Sequence, residues 1–310
     1  MPVATVEQHA PSARPGPLME RRPMTGTSAA LVLAADFRDP ESFAVHYARY
    51  LAHGMQAALV FEHIPDPVLW EDPEELSLPA PQAQTLAREV MVAARHAPAT
   101  LHNPLERQAL LQAVVDGIAR HRPGMILIAS QSQSEVGRLL LGIVARRLSL
   151  HCRVPTLVLG PARESSLMQA GHWRRVLAAT DFTASGASVL LRAHQLAERE
   201  LVALHCVAEN GIQMAPHWVE HLRMLAPFNE SHTIPVQHLV ETGDARTVIL
   251  QVAKKMHADL IVLGSATPRR AGVKTVESII CSVISQAESP VLLVPDEADH
   301  QHRCDNDRAL

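Results

Sequence analysis

The densest run of candidate metal ligands in this chain is His217-Trp218-Val219-Glu220-His221, an HxxEH pattern. On a helix, residues four apart share a face, so His217 and His221 could reach one zinc ion with Glu220 as a base. The chain holds 18 histidines, so close pairs also arise by chance, and no obvious third ligand stands nearby. No metal site is assigned on so short a motif. His205-Cys206 could present a reactive thiolate, against the commoner role of a buried cysteine as a small hydrophobe. Cys304 with His300 and His302 could gather metal only adventitiously. Arg269 and Arg270 could reach an anionic ligand or form a solvated loop. The sequence has no Gly-x-Ser-x-Gly elbow, P-loop lysine or paired catalytic carboxylates. No catalytic residue is assigned, and the chain reads as a non-enzyme.

Two aspartates stand where a strand would deliver them to a ligand. Ala29-Ala30-Leu31-Val32-Leu33-Ala34-Ala35-Asp36-Phe37 recurs as Arg174-Arg175-Val176-Leu177-Ala178-Ala179-Thr180-Asp181-Phe182. Met125–Ser130 recurs as Leu260–Ser265, and Val154–Leu159 as Ser289–Val294. Three matched runs in one order mark a tandem duplication. Short apolar runs alternating with helical patterns indicate βαβ units, whose parallel strands are covered on both faces. Right-handed crossovers then give an α/β fold of two tandem doubly wound open parallel-sheet domains, with ligands beyond the carboxyl ends of the strands. The domains are expected at 28–161 and 173–295, joined by a linker at 162–172. Residues 1–27, rich in Pro and Arg without a signal-peptide core, read as a disordered leader, and 296–310 as a flexible tail.

In the second module, strands are expected at Val176–Thr180, Leu201–Val207, Val236–Val240, Leu260–Leu263 and Val291–Val294. Val189, Leu190, Ala193, Leu196 and Ala197 fall at helical spacing, with Arg192 and Glu198 on the other face. Further helices are expected at Pro216–Leu225, Thr247–Met256 and near Val276–Ala287, with a turn at Thr242-Gly243-Asp244. The first module repeats this, with a Pro- and Glu-rich insertion around Pro65–Pro81 and a third strand near Ala99–Leu101.

Composition narrows the function. The 310 residues are 47% apolar but only 3% aromatic, so the cores must be Ala, Val, Leu and Ile. A net charge of -4 offers no field for nucleic acid. No apolar run approaches the roughly 18 residues of a membrane span. The four cysteines show no CxxC spacing, as expected of reduced cytosolic thiols. The expected setting is cytoplasmic, with neither membrane nor nucleic acid as partner.

These residues resemble the universal stress protein family over nearly the whole chain outside the two tails. The resemblance rests on Asp36 and Asp181, on Gly243-Asp244-Ala245 before a helix, and on the closing Pro290-Val291-Leu292-Leu293-Val294. It implies tandem Rossmann-like, adenine nucleotide alpha hydrolase-like domains. ATP-binding members of that family carry Gly-x-x-Gly, nine residues, then Gly-Ser or Gly-Thr. Glycines let backbone approach phosphate closely, and a helix start supplies free N–H groups. Counting back from Pro290 puts those positions at Gly264, Thr267, Glu277 and Ser278; from Pro155, at Ala129, Ser132, Gly142 and Ile143. The candidate nucleotide site is therefore Asp181, Gly264, Thr267 and Ser278, with a weaker remnant at Asp36 and Gly142. In family members that bind ATP, the aspartate lies near adenine and ribose; an Asx turn is the alternative role.

Glu277 opposes a phosphate. Two unit charges about 4 Å apart repel by roughly 4 kcal/mol in a partly buried site. A carboxylate also suits the first turn of a helix, so Glu277 either fills the anion position from within or points to solvent. The resemblance implies a non-catalytic stress-response or signalling adaptor, acting on an unknown protein partner, with degenerate ATP motifs. The alternative is a protein that binds ATP or another adenine nucleotide mainly in its second domain. Family dimers associate through the last strand. Thr156–Leu159 and Val291–Val294 should thus pair within one chain as a pseudo-dimer, with Thr156 across from Leu292, and further homodimerisation is open.

Overall fold

The computed structural model describes residues 30–35, 42–63, 104–129, 135–159, 171–182, 185–208, 215–225, 234–265 and 279–295. The first half comprises β1 (Ala30–Ala35), α1 (Phe43–Met55), β2 (Leu59–His63), α2 (Pro104–Arg120), β3 (Pro123–Ile128), α3 (Glu135–Cys152) and β4 (Thr156–Val158). The second comprises β5 (Trp173–Ala179), α4 (Ser185–Leu196), β6 (Ala197–Val207), α5 (Ala215–Leu225), β7 (Val236–Thr242), α6 (Ala245–Met256), β8 (Leu260–Gly264), α7 (Ile279–Gln286) and β9 (Val291–Val294). The leader, the Pro65–Pro81 insertion, the strand expected near Ala99–Leu101, the linker and the tail lie outside the described residues, apart from the linker's last two residues, Gly171 and His172.

All nine strands join one sheet in the order β2-β1-β3-β4-β9-β8-β5-β6-β7. Pairing is parallel within each half and antiparallel where β4 meets β9. At that joint Thr156 stands opposite Leu293 and Leu157 opposite Leu292. The expected facing of Thr156 and Leu292 is off by one residue, and in a strand one residue means the other face.

The period-two alternation sorts the apolar side chains into two cores, one on each face. Val32, Ile126, Val158, Leu177, Ile261 and Leu293 share one of them. Leu31, Leu127, Leu157, Val176, Val262 and Leu292 share the other. Each core draws on both halves. As the composition requires, Ala, Val, Leu and Ile dominate both cores. The aromatic rings among the described core residues are Tyr47 and Trp173. Burial pushes the Tyr47 hydroxyl up to about 12, partly countered by the neighbouring Trp173 indole. The indole Nε1 itself has no partner in hydrogen-bond geometry.

Local chemistry sets the element ends. Gly243, at φ 129, gives the left-handed turn for which an L side chain is strained, and its N–H donates to the Val207 carbonyl at 2.9 Å. Asp244 then caps α6, accepting from the Thr247 N–H at 3.3 Å, and His257 closes the helix in the left-handed region. One boundary departs from expectation. Ala197 and Glu198 open β6 rather than end α4, because Ala197 pairs with Trp173 and Glu198 meets His172 at 3.0 Å. Tertiary pairing overrides the helical spacing there.

Candidate functional site

The chain path through the second half reverses between β5 and β8. β6 and β7 add on one side of β5, while β8 and β9 add on the other. Such a switch point leaves a crevice at the carboxyl ends of the strands, the usual ligand position in an open α/β sheet. One lip here is Thr180-Asp181-Phe182 and the other Gly264-Ser265, extending strands paired through Val176 with Leu260 and Ala178 with Val262.

The first lip is built on a side-chain turn. Thr180 is buried, and its Oγ1 accepts from the Phe182 N–H at 3.2 Å. This bond holds Phe182 at φ 60, a left-handed conformation uncommon for an aromatic residue. Gly186 of α4 lies against the Thr180 hydroxyl, where a β-carbon would collide with it. Asp181 is exposed at the crest of the turn. Next to it, His205 Nδ1–H donates to the Thr180 carbonyl at 2.8 Å. Burial holds the His205 imidazole below its ordinary pKa, with His221 adding to the effect and the Thr180 bond and Asp181 opposing it. Phe182 packs on His205 at 4.2 Å between ring centroids and stacks on Trp218 of α5 at 5.7 Å.

The second lip is tied down differently. Ser265 is fully buried; its N–H donates to the Val294 carbonyl at 2.9 Å and its hydroxyl to the same oxygen at 3.3 Å. Its own carbonyl accepts from Arg146 Nε at 3.2 Å, a side chain supplied by α3 of the first half. Both hydroxyls flanking the crevice are thus engaged with backbone groups. The arrangement presents a carboxylate, a glycine and a set of rings, which suits binding a ligand better than attacking one.

Of the residues singled out in the sequence, Asp181 and Gly264 flank this crevice. Thr267, Glu277, Ser278 and Asp36 lie outside the described residues, as do Ser132, Arg269 and Arg270. Gly142 sits inside α3, not at a helix start, and faces α7: a β-carbon there would stand 3.1 Å from Cys281 Cα. The missing side chain serves helix packing between the halves. His217 and His221 share a face of α5 with ring centroids 4.7 Å apart, and among the described residues no third ligating side chain joins them. Glu220, the would-be base, pairs with Arg223 at 3.5 Å. Cys206 is free, and burial pushes its thiol up to about 11, against a reactive thiolate.

Sequence reasoning missed Thr180, Phe182, Trp218, Ser265 and Arg146. One available signal was the repeat itself. Ala35 is registered with His63 as Thr180 lies beside His205, so in both halves the second strand carries a histidine beside the end of the first. The Arg146 contact spans 119 residues and left no local trace.

Residues 172–295 match the model of the Universal stress protein family. No curated protein matches the chain. Among solved structures, a universal stress protein from Archaeoglobus fulgidus is similar at 17% identity and a TM-score of 0.55, over 88% of this chain and 98% of that one. A putative universal stress protein from Pseudomonas aeruginosa gives 16% identity and a TM-score of 0.55, over 89% and 96%. A functionally unknown protein from Pseudomonas aeruginosa gives 15% and 0.53, over 89% and 95%. At such identities the likeness is one of fold, and it extends over both halves.

Proposed function

We propose that this chain, whose residues 172–295 carry a universal stress protein domain, is a tandem member of that family that works by binding and not by turnover. The two halves act as an intramolecular pseudo-dimer, and the protein serves as a stress-response or signalling adaptor for a protein partner. The observation that carries this reading is the state of the crevice between β5 and β8. Thr180 and Ser265 have their hydroxyls bonded to backbone groups, so no nucleophile stands ready beside a base among the described residues. The sequence adds that the glycine positions of the ATP-binding pattern hold Thr267 and Glu277 in this half, and Ala129 and Ser132 in the other. The proposed setting is the cytoplasm; no described helix is long and apolar enough to cross a membrane.

A second reading keeps the nucleotide. Asp181 and Gly264 stand at the carboxyl ends of the neighbouring strands β5 and β8, and Ser278 retains the hydroxyl of the pattern, which favours residual adenine-nucleotide binding in the second half. One experiment separates the two. Freshly purified protein is denatured, and the supernatant is analysed by absorbance and chromatography. The adaptor reading expects no stoichiometric nucleotide and no saturable ATP binding in a titration. An adenosine phosphate released at one equivalent per chain refutes it in favour of the second.

A further inference from the structure

Helix α5 meets the sheet through rings as well as through Leu222 and Leu225. Among its described residues only Leu222 is fully buried. Trp218 stacks on Phe182 with ring planes 21° apart, and His221 meets the Phe182 ring edge-on at 5.5 Å. His217 lies 5.4 Å from Trp218 and 4.7 Å from His221. Beneath them, His205 of β6 sits 5.5 Å from Trp218. A fourth imidazole, His238 of β7, lies within the field of Glu220 and Arg223 of α5. A neutral imidazole packs as an aromatic ring, whereas an imidazolium is a charge that resists burial against its own kind. Two features leave the helix poised. Trp218 Nε1 is buried with no hydrogen-bond partner, and Phe182 is held in a left-handed conformation.

We propose that α5 is an acid-released clasp: protonation of His205 and His238, the two half-buried imidazoles of the strands it covers, lifts it off β6 and β7 and uncovers the carboxyl end of β6 beside the crevice. The clasp works whether or not the crevice holds a nucleotide, so it stands apart from the functional reading above. Among the described residues, these charges face the cluster. Asp181, from the turn after β5, favours protonation of His205, and His221 opposes it. On α5, Arg223 opposes protonation of His238 and Glu220 favours it; these two also pair with each other. Helix α4, which also packs on β6, carries half-buried Arg192 and His194, and β7 carries half-buried Glu241. Burial is the largest influence on both His205 and His238, and it lowers both.

The sign follows by linkage. A histidine whose docked pKa lies below the ordinary 6.5 binds its proton more readily once released. Docking is therefore complete above about 6.5 and weakens as pH falls toward the depressed values.

Hydrogen exchange with mass analysis tests this on the full chain at about pH 7.5 and about pH 5.5, with exchange times scaled for the intrinsic rate. The peptide covering 215–225 should exchange about tenfold faster at the acid pH relative to the peptide covering β8. His205→Gln keeps a side-chain N–H for the Thr180 carbonyl and cannot be protonated, so the acid response should shrink. His238→Gln removes the other half-buried imidazole and serves if the first variant fails to fold. Trp218 fluorescence, taken as the difference from Trp218→Phe, should follow the same transition. Equal relative exchange at the two pH values overturns the proposal, as does an undiminished acid response in both folded variants.

Discussion

Replacing Gly142 by alanine pits two effects of opposite sign against each other. In the interior of a helix, glycine to alanine normally stabilises by about 1 kcal/mol, because alanine loses less chain entropy. Here the new β-carbon would stand 3.1 Å from Cys281 Cα, 3.4 Å from Ile284 Cβ and 3.5 Å from Ile284 Cδ1. The nearest obstacle is backbone, so no rotamer change relieves it; α3 and α7 must part by a few tenths of an ångström. Overpacking of this kind costs typically about 1–3 kcal/mol. The expected net result for Gly142→Ala is a loss of about 1 kcal/mol, and for Gly142→Val about 3 kcal/mol, since two further carbons enter the same space. Urea unfolding followed by circular dichroism reads this as a lower midpoint at unchanged slope. A higher midpoint for Gly142→Ala would mean that helix propensity wins and that α3 does not press on α7 as described. A glycine kept only as a relic of a phosphate loop would give that outcome.

Three further outcomes are expected. Cysteines at Thr156 and Leu293 should oxidise to an intrachain disulfide while cysteines at Thr156 and Leu292 should not, because only the first pair shares a face across the β4–β9 joint; thiol counting by mass after alkylation distinguishes them. Glu277→Gly should create measurable ATP affinity in the second half by removing a repulsion of roughly 4 kcal/mol, and a titration with no gain would count against a carboxylate at the anion position. Cys152 and Cys206, both pushed up to about 11 by burial, should alkylate at about pH 8 roughly 100-fold more slowly than an unstructured cysteine; rates within about threefold of one would contradict their environment.

The sequence carried the strands well because a buried parallel strand is a continuous apolar run, and Val291–Val294 was delimited to the residue. It carried the joint between the halves because two apolar final strands must be covered. It could not carry the register of that joint, which depends on how α3 and α7 pack above it. Ala197 and Glu198 show the same limit: their spacing is helical, but contacts with Trp173 and His172, distant in sequence and adjacent in the sheet, decide the outcome. At the site, Asp181 and Gly264 were legible as strand ends. Thr180, Phe182 and Ser265 were not, since their roles are bonds to backbone atoms set by the turn geometry. Gly142 misleads for an instructive reason: a glycine that admits a neighbouring helix and a glycine that admits a phosphate are the same letter.

The reversal of direction at β4 and β9 has a consequence for anything the molecule holds. The strands of one half point their carboxyl ends north and those of the other south, so two ligands, one per half, would sit at opposite poles some strand length apart. Neither could touch the other, and no single small molecule could bridge them. Signals between the poles must travel through shared material: the Val158–Val291 pairing, the helix pair that closes over Gly142, and Arg146, which reaches from the northern half to grip the southern rim. A partner protein reading both poles would have to span the edge of the sheet, which sets a minimum size for it.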